Sequence, residues 1–142
     1  MTVDIAEYPV TMRIEVMWSD MDAYGHVNNS RYFKYFEMIR HRFYERTGLF
    51  RMKEETGVGP IVKKLSCEYK RPVSYPDTLT VGARVRTIGE SHFVLEFAVV
   101  SDAVGPAAVG EGVIVTFDYG AGTKTPVPVS FREAARGLGN PA

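Results

Sequence analysis

The chain has 142 residues, 45% of them hydrophobic, which suffices for one ordinary core. We therefore expect a single domain over residues 1–142. Lysine plus arginine and aspartate plus glutamate number 17 each, so no overall field draws the protein towards nucleic acid or an anionic membrane. An anionic ligand would have to be held by a local group of cations.

The N-terminus, MTVDIAEYPV, lacks the basic flank and long apolar core of a signal peptide. No apolar run approaches the roughly 20 residues of a membrane span, so we expect a cytoplasmic protein. The one cysteine, Cys67, excludes an internal disulfide and a cysteine-based metal cluster. No local motif marks Cys67 as an activated nucleophile, and we expect it to be a small packed residue.

Residues 10–17 are predicted to form the first strand, and the polar stretch WSDMDAYGHVNNSRYF follows at residues 18–33. This stretch places two aspartates, a histidine and two asparagines between a short apolar run and an aromatic-rich one. From Tyr32 onwards, apolar side chains recur at three- and four-residue steps, which predicts an amphipathic helix. The apolar positions are Tyr32, Tyr35, Phe36, Ile39 and Phe43.

Both ends of this predicted helix carry suitable capping residues. Asn28, Asn29 or Ser30 can accept hydrogen bonds from the free N–H groups at its start, and Gly48 suits the left-handed residue that ends it. Roughly 17 residues at about 1.5 Å each give a rod of about 25 Å.

The second half of the chain changes to the two-residue period of strands, after a Gly/Pro-rich break at residues 57–60. Connections at residues 89–91 and 104–106 reverse the chain, which makes the sheet mostly antiparallel. Residues 130–138 can form a terminal helix. The four strands of this half are predicted at residues 61–69, 79–86, 93–99 and 109–117.

Five strands about 4.8 Å apart make a sheet slightly over 20 Å wide, which matches the length of the helix. The helix can therefore fill the concave face of a curved sheet. In the last strand we expect the core set to be Val109, Glu111, Val113, Val115 and Phe117. The apolar residues out of phase with the core favour a covering subunit, so we expect at least a homodimer. These residues are Val94, Ala98, Val100 and Ile114.

Residues 20–37, DMDAYGHVNNSRYFKYFE, resemble the signature of the hotdog-fold thioesterases, in the 4-hydroxybenzoyl-CoA thioesterase-like group of acyl-CoA hydrolases. The segments EYKRP, at 68–72, and YPDTL, at 75–79, resemble the second and third strands of that family and the turn between them. The similarity covers about residues 10–120. It implies an α+β hotdog fold, in which a curved five-stranded, mainly antiparallel sheet wraps one long central helix. It also implies dimers with active sites at the subunit interface, and the sequence leaves open whether two dimers pair into a homotetramer.

The residue types in this stretch also suit thioester hydrolysis on chemical grounds, apart from the resemblance. A thioester is more electrophilic than an ester, and its thiolate leaves with a pKa near 8.5, so little general-acid help is needed. One carboxylate that attacks the carbonyl or activates water, with backbone amides to stabilise the developing charge, is enough. The resemblance assigns the carboxylate to Asp22 and the amide to Asn29 or a neighbour. Asp20 is expected to be structural.

Each of these residues also has a structural explanation. Asp22 can cap a turn, and Asn28 and Asn29 are more often helix caps than catalysts. His26 can be a general base, a group that orients water, or a solvated loop histidine. In the related acyl carrier protein thioesterases a similar motif gives the histidine a catalytic part, but Tyr24 replaces the middle asparagine of that motif here.

Candidate substrate-binding residues follow from the same resemblance. Gly25 permits a tight approach of backbone to ligand, and the helix aromatics can line an acyl tunnel. The phosphates of CoA need cations, for which the strand arginines Arg84 and Arg86 are further candidates. Metal binding is not expected, because two loop carboxylates and a histidine lack a closed ligand set. The substrate-binding candidates are Gly25, Asn28, Tyr32, Gly59, Lys70 and Arg71.

The leading hypothesis is therefore an acyl-CoA thioesterase that consumes no cofactor, with catalytic candidates Asp22, His26 and Asn29. An acyl carrier protein thioesterase should show a docking patch for an acidic partner, which a neutral chain does not indicate. A hydratase or dehydratase would need a different histidine and carboxylate placement. An acyl-CoA sensor without activity would normally need a fused effector segment, for which we expect no room in 142 residues.

Overall fold

The computed structural model describes residues 3–138. Its long elements follow the predicted order of strand, helix and four strands. The strands are β1 (Val10–Glu15), β2 (Val58–Tyr69), β3 (Thr78–Ile88), β4 (His92–Ser101), β5 (Gly105–Asp118) and β6 (Thr123–Lys124). The helices are α1 (Arg31–Thr47), α2 (Leu49–Thr56) and α3 (Val129–Gly137), and short 3-10 turns occupy Ile5–Glu7 and Trp18–Asp20. Within the described range, no helix has the length and apolar content needed to cross a bilayer.

The sheet is antiparallel throughout the described chain, with the spatial order β1-β3-β4-β5-β2 and with β6 paired to the end of β5. It curls around α1, which packs against β3, β1 and β2. The expected α+β architecture, a curved sheet around one long helix, is confirmed. The sequence did not predict α2 or the two-residue strand β6, since neither carries a full period of apolar positions.

The central helix α1 has the predicted length of 17 residues. It ends at Gly48, whose φ of 78° lies in the left-handed region that favours glycine. At its start the capping oxygen belongs to Asn28, because Asn28 Oδ1 accepts the Ser30 N–H at 3.0 Å, whereas the Ser30 side chain makes no capping hydrogen bond. Asn28 therefore holds Ser30, the residue that precedes α1, in place.

Aromatic rings fill the core between α1 and the sheet. Phe36 stacks on Phe97 of β4 with ring centroids 4.7 Å apart and planes at 15°. At the other end of α1, Phe43 packs on Phe93 and on Phe131 of α3. The predicted terminal helix is thus confirmed, one residue earlier than expected, and it closes the far end of the core.

The predicted core face of β5 is wrong. Ile114 is fully buried, whereas Val113 and Val115 are only half-buried. The inward positions nearest the helix are Gly110 and Gly112, which contribute no apolar signal because the rings of Phe36 and Phe97 occupy their space. The apolar residues on the opposite face of β5 therefore gave the clearer two-residue period in the sequence, and that face was wrongly predicted to be the core face.

Ala98, also assigned to an uncovered outer face, is fully buried as well. It pairs with Gly82 in the neighbouring strand. A Cβ at Gly82 would lie 2.8 Å from atoms of both Ile5 and Tyr8, so the N-terminal segment of the same chain covers this part of the sheet. Val94 and Val100 are half-buried. Ala98 and Ile114 are therefore covered within one chain and need no second subunit to bury them.

The strand β2 forms one edge of the sheet and starts three residues earlier than predicted. Pro60 was expected to be part of a break, but it pairs with Thr116 inside the strand. An edge strand accepts proline because one side of its backbone lacks a neighbour in the sheet. Ile61 and Val62 on this edge are 41% and 38% exposed.

We predict that Gly110→Ala lowers the free energy of unfolding by about 1–3 kcal/mol, the usual cost of overpacking a core. The added Cβ would lie 2.4 Å from Phe36 Cε2 and 2.7 Å from the Ser66 carbonyl oxygen, and the carbonyl cannot rotate away. Chemical denaturation measures the change. Gly137→Ala is the control, because a Cβ there meets no atom of the described chain within 4 Å. Equal midpoints for the two variants would contradict this packing.

Candidate active site

The loop between β1 and α1 folds back on itself and presents Asp22 at its turn. The Asp22 N–H donates to the His26 carbonyl at 2.9 Å, and the Gly25 N–H donates to the Asp22 carbonyl at 3.1 Å. Gly25 has a φ of 76°, which a side chain would disfavour. The Val27 N–H donates to the Val73 carbonyl at 2.7 Å and so anchors the loop to the segment before β3.

The Asp22 carboxylate is half-buried and accepts two hydrogen bonds. Its Oδ1 accepts the Tyr24 N–H at 2.9 Å, and its Oδ2 accepts the Asn28 Nδ2 at 3.4 Å. The first of these bonds is the turn-capping contact that aspartate favours. Among the described residues Asp22 has no cation within ion-pair distance, so its charge remains available to a ligand. Both explanations of Asp22, turn cap and reactive carboxylate, fit this geometry.

Asp20 has a different environment, and its side chain is only 13% exposed. Its Oδ2 accepts the Met17 N–H at 2.9 Å and the Tyr35 hydroxyl at 3.2 Å, while Arg31 lies 3.6 Å from Oδ1. Burial, and next the charge of Asp20, raise the pKa of Tyr35 well above its ordinary value. Tyr35 therefore stays a donor, and Asp20 ties the loop to α1.

Most of the backbone amides at the start of α1 already donate hydrogen bonds to acceptors in the same chain. Asn28 Oδ1 accepts from both the amide and the hydroxyl of Ser30, and the Asn28 carbonyl accepts the Arg31 N–H at 2.9 Å. The Tyr32 N–H reaches the Asn29 carbonyl at 3.4 Å. Within residues 3–138 the Asn29 N–H has no acceptor. It is the donor that this helix start leaves for a ligand.

These groups border a pocket of about 370 Å³. It contains all three catalytic candidates and three of the six substrate-binding candidates, while Gly25 and Asn28 belong to the loop and cap that shape it. Gly59 lies elsewhere, ten residues before the end of β2, where a Cβ would meet the Lys53 side chain at 2.5 Å. The pocket residues are Asp22, Tyr24, His26, Val27, Asn29, Tyr32, Tyr69, Lys70, Arg71 and Pro72.

The four candidate cations fall into two groups. Lys70 and Arg71 border the pocket, where Lys70 pairs with the exposed Glu68 at 3.1 Å and Arg71 donates to the Val104 carbonyl at 2.6 Å. The other two lie on β3 away from this pocket, and each is neutralised by a glutamate: Arg84 by Glu96 at 3.0 Å, and Arg86 by Glu111 at 2.6 Å.

Four pocket residues were not among the sequence-based candidates: Tyr24, Val27, Tyr69 and Pro72. The most informative is Tyr69, whose hydroxyl donates to the Asn29 carbonyl at 2.9 Å. Only the fold brings these two residues together across 40 positions of sequence. The EYKRP segment, which resembles the family, contains Tyr69. Its pattern indicates a strand, but it does not indicate which residue the Tyr69 side chain contacts.

The one cysteine lies beside the site without bordering this pocket. Cys67 is half-buried, and burial raises the pKa of its thiol to about 11, the Glu68 charge adding to this effect. Burial also raises the pKa of the neighbouring Tyr32 to about 12. Neither group is ionised at neutral pH. Among the described residues, no three histidine, cysteine, aspartate or glutamate side chains are grouped closely enough to hold a metal ion.

We predict that native Cys67 reacts slowly with iodoacetamide at pH 8. A pKa near 11 in place of about 9 leaves roughly 100-fold less thiolate, and the thiolate is the reactive form. Mass spectrometry of timed samples measures the rate, and the same protein unfolded in urea is the control. If native and unfolded chains were alkylated at equal rates, the protected state of Cys67 would be wrong.

Known proteins resemble this chain over most of its length. The model of the Thioesterase-like superfamily matches residues 16–135. A thioesterase of Thermus thermophilus, solved in complex with coenzyme A and Zn, is 32% identical, with a TM-score of 0.84 over 96% of this chain and 98% of its own. The PA5185 protein of Pseudomonas aeruginosa is 30% identical, with a TM-score of 0.82 over 97% of this chain and 96% of its own.

Sequence similarity also extends to the long-chain acyl-CoA thioesterase FadM of Escherichia coli. This protein is 24% identical over 105 residues, which are 74% of this chain and 78% of FadM. The resemblance noted in residues 20–37 is thereby confirmed, and so is the hotdog fold. The chain belongs to the thioesterase-like superfamily, in its 4-hydroxybenzoyl-CoA thioesterase-like group.

Proposed function

We propose that this protein hydrolyses an acyl-CoA thioester to a free acid and CoA, with Asp22 as nucleophile or general base. One observation carries the proposal. The Asp22 carboxylate, without an ion-pair partner in the described chain, borders the same pocket as the Asn29 amide, which has no acceptor within residues 3–138. Membership of the superfamily supports thioester hydrolysis. Similarity to a CoA-bound thioesterase and to FadM supports CoA as the thiol half of the substrate.

In the proposed reaction the thioester carbonyl oxygen accepts the Asn29 N–H. The positive end of the 17-residue helix α1 adds to this stabilisation as negative charge develops on the oxygen. Asp22 either attacks the carbonyl carbon, giving a mixed anhydride that water then hydrolyses, or removes a proton from the attacking water. In both routes the C–S bond breaks and CoA leaves as a thiolate. No cofactor is needed for either route.

Three other pocket residues, Lys70, Arg71 and Tyr24, are proposed to bind the CoA half. Lys70 and Arg71 are the cations at the pocket, and the Lys70 partner, Glu68, is 71% exposed and easily exchanged for a phosphate. Tyr24 presents a ring that is 85% exposed and can pack on the pantetheine chain or the adenine. His26 is exposed at the same pocket and is proposed to orient the attacking water.

The protein is proposed to form a homodimer through the β2 edge. This edge is 12 residues long, and its outer side pairs with no other strand of the described chain. Ile61 and Val62 expose apolar surface beside unpaired backbone groups, an arrangement that favours pairing with another strand. Because β2 ends at Tyr69, which borders the pocket, such a dimer would place the site near the interface.

We predict that the wild type releases thiol from at least one member of a panel of acyl-CoA and aryl-CoA esters. Asp22→Asn should lower kcat/KM at least about 100-fold, because a reacting carboxylate contributes on that scale. Asp102→Asn is the matched control, since Asp102 is exposed and pairs with Arg13 away from the pocket. A loss within about threefold for Asp22→Asn would refute its assignment.

The same assay with His26→Ala separates its possible roles. A role in orienting water predicts a fall in kcat, whereas a loss confined to KM would show that His26 only binds substrate. No turnover of any CoA ester by the wild type would contradict the proposed function itself.

We further predict that the wild type sediments at twice the mass of one chain in analytical ultracentrifugation. Val62→Asp should shift the equilibrium towards monomer, because it places a charge on the proposed interface strand. Val129→Asp is the control, at a position of α3 that is 68% exposed. A monomeric wild type, or equal effects of the two variants, would contradict dimerisation through β2.

A further inference from the structure

Tyr69 joins the end of β2 to the start of α1. It is the last residue of the strand, where it pairs with Ala108 of β5, and it borders the same pocket as Asp22. Its hydroxyl donates to the Asn29 carbonyl at 2.9 Å. The residue whose carbonyl Tyr69 holds is thus the residue whose amide faces no acceptor within the described chain.

The Asn29 carbonyl depends on this hydroxyl for its orientation. Its other donor, the Tyr32 N–H, lies 3.4 Å away, beyond the usual range for such bonds of about 2.7–3.2 Å. On the other side of Asn29, the Asn28 side chain fixes Ser30. Asn29 therefore lies between two anchors, one within the loop and one supplied by the sheet.

The Tyr69 ring is itself held in place, although the residue is 43% exposed. It meets the buried Tyr32 ring edge to face, with centroids 5.1 Å apart and planes at 85°. Tyr32 in turn contacts Tyr35, which donates to Asp20. Burial raises the pKa of the Tyr69 phenol, so the hydroxyl remains a donor at neutral pH.

We propose that Tyr69 is a positioning residue for the thioesterase reaction: its hydroxyl fixes the Asn29 peptide so that the Asn29 N–H stays directed at the thioester carbonyl oxygen. This inference rests on the proposed function, since it assigns the donor at that same site. A small error in the placement of an oxyanion donor reduces the rate strongly, because the stabilisation depends on distance and angle. Tyr69 acts through Asn29 and does not touch the reacting atoms.

The chain contains a matched control for this hydroxyl. Tyr119 is 44% exposed, and its hydroxyl also donates to a backbone carbonyl, that of Pro60, at 2.7 Å. It lies outside the pocket. Tyr69→Phe and Tyr119→Phe therefore remove the same group, with the same type of bond and the same exposure, and differ in what the bond holds.

Two measurements on the 142-residue chain test the proposal. In steady-state thiol release from the best CoA ester, Tyr69→Phe should lower kcat about tenfold with KM within about twofold, whereas Tyr119→Phe should leave both parameters within about twofold of wild type. In two-dimensional NMR of the labelled proteins without substrate, the Asn29 amide resonance should move in Tyr69→Phe and stay in place in Tyr119→Phe. Equal unfolding midpoints would exclude a general loss of stability.

Several outcomes would overturn the positioning role. Equal kcat values for Tyr69→Phe and Tyr119→Phe in an active enzyme would refute it and leave the proposed function intact. A change in KM alone would make Tyr69 a substrate-binding residue only. An unmoved Asn29 resonance in Tyr69→Phe would show that the hydroxyl does not hold this peptide. A wild type inactive on every CoA ester would remove the proposed function and this inference together.

Discussion

The seating of α1 in the curled sheet is the constraint on which the other features depend. Phe36 stacks on Phe97, and the absence of a side chain at Gly110 makes room for the ring. This close contact fixes how far along its axis the helix lies, and hence where its first amides emerge. A helix held only by its ends would leave that position undetermined. Core packing therefore determines the geometry of the candidate site in this molecule.

Beside the start of α1, Asp20 and Asp22 have different roles. Asp20 is largely buried and binds Met17 and Tyr35, which holds the loop against α1. Asp22 lies two residues further on, where the turn through Gly25 points it at the pocket. The two side chains are chemically identical. Their burial and their hydrogen-bond partners give Asp20 a structural role and Asp22 the proposed chemical one. The sheet contributes Tyr69 from the opposite direction, so the site depends on long-range contacts as well as on the loop.

Sequence patterns predicted the features of the fold that depend on residues close together in the chain. The extent of α1, its glycine end and the order of elements along the chain followed from periodicity, and the polar loop followed from its resemblance to a family signature. The core face of β5 did not, because Gly110 and Gly112 are inward positions whose role appears only when the aromatic rings are placed against them. Tyr69 was missed for a related reason, since its partner Asn29 lies 40 residues away. Sequence periodicity reports which residues share a face, and it does not report which distant side chain meets them.

The proposed reaction requires the thioester carbonyl to lie between Asp22 and the Asn29 amide. A crystal structure with an acyl-CoA analogue in which a methylene replaces the thioester sulfur would test it most directly, because the carbonyl is kept and cannot be hydrolysed. We expect the carbonyl oxygen at about 3 Å from the Asn29 nitrogen, a normal hydrogen-bond distance, with the Asp22 carboxylate facing the carbonyl carbon. A carbonyl bound away from the start of α1, with Asp22 still turned only towards its own loop, would contradict it.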